Sequence, residues 1–500
     1  MADVAIVGAG PNGLAAGVVM ARAGLSVEIF EAERAIGGGS RTMELLEPEH
    51  VHDICSAVHP MALASPFFRE FGLRERIPFV VPELSYANPL DNGRAGLAYR
   101  DLGRTALGLD KDGQAWRRLM RPLVQHIDGV VDTGLNQFLR VPRHPVAAAL
   151  LGSRTLEQGT GLWNLRFSTE EAAALFTGVA AHAVAALPTL AAAGAGLTLG
   201  ALAHAVGWPI PVGGSQALVN AMADDIRAHG GAVHTARRIE SVGEFDGAKA
   251  VLLDVSPGAV GGLAGDRLPQ GYVSMLDRFR FGDGACKVDF ILSGPVPWAN
   301  EEVRAAGTVH AGGTRAEVAA SEADVAAGRH PEKPYVLVSQ PSLFDSSRAP
   351  HGRQVLWTYC HVPNGSTRDM TEAIVRQIER FAPGFRDVVV RSHVMTAADL
   401  EQYNANYVGG DFSGGAVTIP QLLARPSFGP HPWRMPGKGL YLCSASTPPG
   451  PGVHGMGGYH AAKLALKDVF GLPVPQFSHP DATALCRAGA GVVAEPIEAA

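Results

Sequence analysis

The chain has 500 residues with a formal net charge of -6, and 46% of its residues are hydrophobic. This hydrophobic content supports an ample globular core, whereas the acidic balance argues against nucleic acid as a partner, because nucleic-acid binding needs a basic footprint. The five cysteines form no C-x-x-C pair, which excludes a dithiol redox motif and a cysteine zinc site and fits a reducing compartment.

A strand–turn–helix–strand unit is predicted at the start of the chain. Residues 4–7 form an apolar run suited to a buried parallel strand, a helix follows as far as residue 23, and residues 27–30 form a second strand. The turn has G-x-G-x-x-G spacing, which permits a tight bend and lets the backbone approach a pyrophosphate. The unit therefore predicts dinucleotide contacts at Gly8, Gly10, Pro11, Asn12 and Gly13. Because the chain enters this strand without a basic, apolar leader, we expect a cytoplasmic protein.

The segment after the second strand indicates which dinucleotide binds. Glu31 stands where an acid accepts hydrogen bonds from a ribose 2′-hydroxyl, and a triple glycine at 37–39 follows. A nicotinamide dinucleotide gives no reason for this extension. FAD does, because its second phosphate and ribityl chain continue past the first helix and suit a glycine-rich nest with a guanidinium. The sequence therefore predicts FAD, with contacts at Glu31, Gly38, Gly39, Ser40 and Arg41.

Residues 172–223 contain no Asp, Glu, Lys or Arg. Pro188 and several glycines interrupt the stretch, which argues against a transmembrane helix of about 20 apolar residues. Two interpretations stay open. The preferred one is a set of buried helices in a substrate domain, and the other is peripheral contact with a membrane.

A helix–strand unit is predicted next. Leu218, Met222 and Ile226 fall on one helical face between two Gly-Gly turns, a strand follows near Val233, and residues 249–257 read as another buried strand. Further strand character occurs at 285–294, 334–342, 353–363 and 387–396, and an amphipathic helix at 369–381. These elements favour a mixed sheet covered by helices, and together with the charge-free stretch they predict an apolar tunnel.

Near the C-terminus, a strand at 440–443 is followed by a loop rich in proline and glycine and by a helix that starts near Gly455. The glycines permit close backbone approach, and the prolines lower the entropy lost on ordering the loop. A helix N-terminus directed at the reduced flavin would stabilise its negative charge by about 0.3–2 kcal/mol. Cofactor contacts are therefore also predicted at Ser446, Val453 and Met456.

These motifs together resemble the FAD flavoprotein superfamily that contains amine oxidases and phytoene desaturases. The resemblance rests on E-x-x-x-x-x-G-G-x-x-R-T from Glu31 and on T-x-P-G-x-G-V from Thr447, and it spans most of residues 1–470. Many amine oxidases carry Arg where this chain has Gly39, and Gly-Asp where it has Ser444 and Ala445. Both departures favour the desaturase-like branch.

The resemblance implies an α/β fold in which a Rossmann-type FAD-binding domain, three-layered and glutathione reductase-like, is interleaved with a mixed α+β substrate domain. The predicted FAD-binding domain comprises residues 1–85, 206–265 and 431–473. The predicted substrate domain comprises residues 86–205 and 266–430, and residues 474–500 form a tail. The resemblance also implies that the backbone at Val233 contacts the adenine.

The chemistry implied by the resemblance is hydride transfer from an apolar, isoprenoid- or lipid-like substrate to flavin N5, in the manner of a phytoene dehydrogenase. His59 and His454 are the candidate catalytic residues, because the family alignment places both near the isoalloxazine. No metal is expected, since the sequence has no H-x-x-H, H-E-x-x-H or carboxylate cluster with metal spacing. There is no second dinucleotide fingerprint, so oxygen or a quinone is the candidate electron acceptor.

Two alternatives remain at this stage. A flavin amine oxidase has the same general fold, although the two departures count against it. Proteins of the Rab escort and GDP-dissociation-inhibitor type bind prenylated partners without flavin chemistry, but they lose parts of the fingerprint that this chain keeps at Gly8, Gly10, Gly13, Glu31 and Arg41.

Overall fold

The computed structural model of the chain describes residues 2–477. Its strands, in chain order, are β1 (Val4–Val7), β2 (Val27–Phe30), β3 (Thr42–Glu44), β4 (Val51–Asp53), β5 (Phe79–Val80), β6 (Leu84–Pro89), β7 (Ala95–Tyr99), β8 (Ile210–Pro211), β9 (Ala232–His234), β10 (Ala250–Leu253), β11 (Gly284–Leu292), β12 (Ala306–Ala311), β13 (Val336–Ser339), β14 (Gln354–Val362), β15 (Val389–Met395) and β16 (Leu440–Leu442).

The α-helices are α1 (Pro11–Arg22), α2 (Pro66–Phe71), α3 (Leu73–Arg76), α4 (Leu102–Gly108), α5 (Gly113–Gln125), α6 (Ile127–Gly134), α7 (Pro145–Gln158), α8 (Glu170–Ala181), α9 (Leu190–Ala205), α10 (Gln216–Ala228), α11 (Pro257–Ala264), α12 (Gln270–Leu276), α13 (Arg315–Ala326), α14 (Thr371–Phe381), α15 (Phe385–Val388), α16 (Ala397–Tyr403), α17 (Ile419–Leu423) and α18 (Met456–Ala465). Short single-turn helices occur between several of these elements.

The first sheet is the predicted Rossmann-type sheet. Its five strands follow the order β16-β10-β1-β2-β9, and every neighbouring pair is parallel. Successive side chains alternate between faces, so Val4 and Ile6 pack into the core with α1, α10 and α18, whereas Ala5 and Val7 pack into a separate core with α11 and α12. Parallel sheets are normally covered on both faces. The predicted three-layer α/β architecture is confirmed.

The second sheet has seven strands in the order β15-β11-β14-β13-β12-β6-β7. β12 and β6 are parallel and the other neighbours are antiparallel, so the predicted mixed sheet is confirmed. Alternation again separates two faces. Val288 and Phe290 of β11 belong to the core that contains α14, while Ala285 and Lys287 face a cavity on the opposite side.

The charge-free stretch, residues 172–223, contains most of α8, all of α9 and most of α10. The preferred interpretation of buried helices is confirmed. Phe176, Leu197 and Leu202 are at most 1% exposed and belong to the largest hydrophobic core. Across residues 2–477, no helix combines the length and apolar character that a membrane span requires.

The boundaries of the two domains stay a prediction, although all five strands of the first sheet come from the ranges proposed for the FAD-binding domain. Of the predicted tail, residues 474–477 carry no helix or strand. The Phe477 ring meets the Phe67 ring edge-on, and the Arg22 guanidinium carbon lies 5.1 Å from the Phe477 ring centroid. Residues 478–500 lie outside the described residues.

Candidate active site

One cavity of ≈ 1070 Å³ is lined by residues from both glycine-rich loops and from the cavity-facing side of the second sheet. Its volume is at the upper end of the roughly 300–1,000 Å³ typical of sites for drug-sized ligands. Of the predicted site residues, its wall contains Gly8, Gly10, Pro11, Asn12, Glu31, Gly38, Gly39, Ser40, Arg41, His59, Ser446 and Val453. The predicted residues Gly13, Val233, His454 and Met456 lie outside this lining.

The two distant ends of the chain meet at this cavity. β10 pairs with both β1 and β16, so the loops that follow β1 and β16 leave the same edge of the sheet. Helix α18 then packs against α1 so closely that a Cβ atom on Gly458 would lie 1.8 Å from the Asn12 carbonyl oxygen. The predicted convergence of the two glycine-rich loops is confirmed.

Glu31 is held in place by its own loop. Its Oε2 accepts a hydrogen bond of 2.9 Å from the Ala9 N–H, and its Oε1 accepts one of 3.0 Å from the Glu33 N–H. The Arg41 guanidinium lies 3.3 Å from the same Oε1. The carboxylate is thus oriented in the cavity wall, which suits a residue that must accept hydrogen bonds from a ribose.

The triple glycine forms a tight turn against the loop that follows β1 and against Tyr407. Gly37 has φ of 118°, a conformation that favours glycine. A Cβ atom on Gly39 would lie 1.9 Å from the Tyr407 hydroxyl. The neighbouring Ser40 Oγ is buried and has no hydrogen-bond partner within residues 2–477, although Ser40 contributes to the cavity wall. A buried hydroxyl beside a bare backbone turn fits the binding of a polar ligand group here.

The adenine contact predicted at Val233 concerns the side of the cavity next to β9. β9 does join the nucleotide sheet, with Val233 opposite Ile29 of β2, but the residues that reach the cavity come after the strand. Arg237 donates its N–H to the Glu31 carbonyl at 2.9 Å, and its guanidinium carbon lies 4.8 Å from the Phe30 ring centroid. The wall here consists of Arg237, Arg238, Ile239 and Glu240.

Comparison with known proteins agrees with this geometry. Residues 6–71 match the family model described as NAD(P)-binding Rossmann-like domain. The rat pyridine nucleotide-disulfide oxidoreductase domain-containing protein 2 is 24% identical over 93% of this chain and 94% of its own length. The 4,4'-diapolycopen-4-al dehydrogenase of Metabacillus indicus is 32% identical over 25% of this chain and 26% of its own.

Among solved structures, wild-type putrescine oxidase bound to putrescine has a TM-score of 0.57 and 18% identity, covering 94% of this chain and 99% of that one. At this level of identity the likeness shows a shared fold. The two relatives are named as an oxidoreductase domain-containing protein and as a dehydrogenase, and neither name describes a prenyl-protein-binding protein.

The superfamily resemblance suggested His454 as a catalytic residue. Its side chain lies outside the cavity lining and hydrogen-bonds the backbone at the start of α18. The Met456 N–H donates to His454 Nδ1 at 3.0 Å, at the first residue of α18, and His454 Nε2 lies 3.2 Å from the Gly450 carbonyl oxygen. Burial lowers the pKa of His454 to about 4, so the ring is neutral. Both ring nitrogens therefore serve the local backbone.

Replacing His454 with alanine is expected to lower the free energy of unfolding by about 1–2 kcal/mol, because the α18 cap and a buried hydrogen bond are lost. Urea denaturation measures this difference. His454→Asn retains a capping oxygen and serves as the control, with a smaller expected loss. Full stability of the alanine variant combined with slow cofactor reduction would contradict the capping role.

His59 does lie in the cavity wall. Its Nε2 is 2.7 Å from Ser215 Oγ, and its Nδ1 is 3.4 Å from Ser56 Oγ. Burial is the largest influence on its pKa and lowers it to about 4, so the imidazole is neutral at physiological pH. His59 is therefore a neutral imidazole in the cavity wall. It can serve as a hydrogen-bond partner or accept a proton.

The sequence prediction missed a charged cluster on β11. Lys287 in the cavity wall pairs with Asp289, and Asp289 Oδ1 lies 3.3 Å from His52 Nδ1, with all three side chains at most 3% exposed. Burial alone would raise the pKa of Asp289, but the Lys287 charge and the His52 hydrogen bond outweigh it and hold that pKa below its usual value. Lys and Asp two residues apart on a strand share a face, so the K-x-D pattern was the available signal.

Asp254, immediately after β10, was also missed. Its Oδ2 accepts a hydrogen bond of 2.9 Å from the Gly13 N–H, at the N-terminal end of α1 where a pyrophosphate would bind. Burial, reinforced by the nearby Glu31 charge, raises the pKa of Asp254 to about 7. A carboxyl group beside a phosphate site is compatible with the phosphate when it is protonated.

Beyond the loops, the cavity continues into an apolar arm between α6, α7, α9 and α17. Its wall is mainly aliphatic, and it ends near the protein surface at Phe138, Ile419 and Leu423. The large apolar residues of this arm are Leu135, Phe138, Leu151, Leu190, Leu199, Val417, Ile419, Leu422 and Leu423.

Proposed function

We propose that this chain is an FAD-dependent oxidoreductase that removes a hydride from an apolar substrate of the isoprenoid or lipid class. The observation that carries the proposal is the continuity of the cavity, which joins a dinucleotide cleft to an apolar arm. A ligand in the arm can therefore reach the inner end of a cofactor in the cleft without entering water.

The residues present fit FAD. The turn from Gly37 to Arg41 extends the cleft beyond the first helix, Gly39 leaves no room for a side chain, and Ser40 offers an unpartnered hydroxyl. Glu31 is oriented for a ribose, and the loop before α18 closes the far side. When bound, FAD supplies a two-electron acceptor for hydride.

The protein's own residues would orient the substrate and manage its proton. The apolar arm excludes water and aligns an elongated chain, and Lys287 places a positive charge in the wall, where it favours negative charge that develops nearby. Desaturation releases a hydride from one carbon and a proton from its neighbour. His59 is the candidate proton acceptor, because it is neutral and lies in the wall.

The test is anaerobic incubation of the flavin-loaded protein with separate fractions of polyenes, other lipids and amines. Bleaching of the visible flavin band by an apolar fraction, with recovery on admitting oxygen or a quinone, is the expected result. Bleaching by amines with release of hydrogen peroxide would replace this proposal with an amine oxidase. A protein that cannot be reconstituted with FAD would remove it.

Narrowing the arm provides a second check on the substrate class. Ala195 of α9 lies in the cavity wall, and Ala195→Phe is expected to raise KM for the apolar substrate about tenfold while flavin affinity stays unchanged, because the added ring fills space that the substrate needs. Steady-state kinetics and flavin titration measure the two quantities. Ala195→Ser changes polarity with little volume and is the matched control. An unchanged KM in the phenylalanine variant would place the substrate elsewhere.

A further inference from the structure

Exposed apolar side chains are concentrated in residues 138–165, the part of the chain that contains α7. Val141 is 88% exposed and Leu165 is 80% exposed, so both side chains are in water. Single exposed apolar residues are common on protein surfaces, but a run of them marks an interaction surface. Within residues 138–165 the exposed large apolar residues are Phe138, Val141, Val146, Leu156, Leu162 and Leu165.

The same surface borders the cavity opening. Leu151, Gly152 and Thr155 place one side of α7 in the cavity wall, and Phe138 also belongs to that wall. Across the opening, α17 contributes side chains that are both exposed and cavity-lining. We refer to the exposed cavity-lining residues Phe138, Ile419 and Leu423, together with the exposed residues Val141 and Val146 that follow Phe138 in the chain, as the apolar rim.

A groove rich in arginine lies beside the rim. It is formed by Arg117, Arg118 and Arg121 of α5, with Arg154 of α7 and Arg166 (the basic groove). Glu157 pairs with Arg154 at 3.1 Å and also pairs with Arg166. The three exposed arginines of α5 have no ion pair among the described residues, so the groove has an excess of positive charge. Helix α7 belongs to both surfaces and holds them next to each other.

We propose that this face docks on an anionic lipid bilayer, with the apolar rim in the headgroup region and the basic groove against the lipid phosphates. Interfacial binding combines exposed apolar side chains with arginines, because the first bury apolar area and the second are attracted to anionic lipid. The groove is complementary to such a surface although the whole chain is acidic. The docked orientation places the cavity opening on the bilayer. Only the benefit of this orientation for an apolar substrate rests on the proposed function.

Co-sedimentation with vesicles tests the docking. The full chain is expected to bind vesicles of equal parts phosphatidylglycerol and phosphatidylcholine, to bind pure phosphatidylcholine weakly, and to dissociate as salt rises. Two variants should each weaken binding about tenfold or more. The first combines Val141→Ser with Val146→Ser, and the second combines Arg117→Gln, Arg118→Gln and Arg121→Gln. None of these residues lines the cavity. The control sets are Val390→Ser with Leu472→Ser, whose side chains are 41% and 37% exposed, and Arg353→Gln with Arg368→Gln and Arg376→Gln, which are exposed arginines elsewhere on the chain. Both sets should bind as the natural chain does.

Two outcomes would overturn the docking. One is that the natural chain does not bind anionic vesicles, or that the variants bind them as tightly as the natural chain does. The other is a dimer in analytical ultracentrifugation that the Val141 and Val146 substitutions dissociate, which would make a second copy the occupant of this face. Flavin reduction by substrate in detergent micelles, measured on the same preparations, separates this result from a failure of the proposed function.

Discussion

Gly458→Ala is expected to yield a protein that loses its flavin during purification. The added Cβ would lie 1.8 Å from the Asn12 carbonyl oxygen, 2.7 Å from its carbonyl carbon and 2.9 Å from the Ala16 nitrogen. All three are backbone atoms of α1, so none can move aside by changing a rotamer. Overpacking of this kind costs about 1–3 kcal/mol or more, and here the strain would separate α18 from the loop predicted to bind the pyrophosphate.

We expect flavin affinity to fall by about two orders of magnitude, which corresponds to roughly 3 kcal/mol. Flavin content after gel filtration and titration of the stripped protein measure the loss. Gly258→Ala is the matched control, because Gly258 also lies within a helix but has nothing within 4 Å of its added Cβ. Alanine favours a helix over glycine by about 1 kcal/mol at both positions, so the difference between the variants is steric. Equal flavin content in the two variants would show that the helices need not be so close.

The elements predicted correctly are those whose signal is local. The limits of β1 and β2 follow from apolar runs bounded by glycine, and Leu218, Met222 and Ile226 share the buried face of α10. Convergence of the two glycine-rich loops was predicted from a resemblance rather than from any local pattern. The structure shows its physical basis in β10, which lies between β1 and β16 and so directs both following loops to one edge.

The features that were missed depend on partners far away in the sequence. Asp254 looks like the end of a buried strand until β1 brings the Gly13 N–H to within 2.9 Å of its carboxylate. Lys287 looks like an ordinary strand residue until the alternation of β11 places it, with Asp289, on the face that lines the cavity. For both residues the register between elements, which the sequence pattern does not specify, decides the surroundings of the side chain. His454 differs, because its hydrogen-bond partners Gly450 and Met456 are close to it in the sequence.

The affinity of the protein for FAD is expected to fall as pH rises above about 7, and Asp254→Asn is expected to abolish that dependence. The Asp254 carboxyl shares the N-terminal end of α1 with the site predicted for the pyrophosphate. Its pKa is raised to about 7 because burial disfavours the charged form. The charge of Glu31, immediately after β2, adds to this effect, while the Gly13 and Gly10 N–H groups oppose it. Cys443, immediately after β16, faces the same carboxyl, but burial raises its thiol pKa well above the usual range, so it stays neutral.

The sign follows from proton linkage. A bound pyrophosphate would raise the Asp254 pKa further, so binding takes up a proton above pH 7 and affinity falls by up to tenfold per pH unit, about 1.4 kcal/mol. The same raised pKa means that the folded protein binds more protons than the unfolded chain between about pH 4 and 7. This carboxyl therefore destabilises the flavin-free fold as pH rises through that range, and Asp254→Asn should raise the melting temperature at pH 8 but not near pH 4.

Flavin fluorescence titrations from pH 6 to 9, on the natural chain and on Asp254→Asn, measure the affinity. The asparagine keeps the shape of the side chain and a carbonyl oxygen for the Gly13 N–H, so it isolates the charge. Glu31→Gln is the comparison variant, since it removes a neighbouring charge, lowers the Asp254 pKa and should move the onset of weakening to lower pH. A natural chain whose affinity is flat across this range, or an asparagine variant that binds FAD less tightly at pH 8.5, would mean that the Asp254 carboxylate does not face the phosphates.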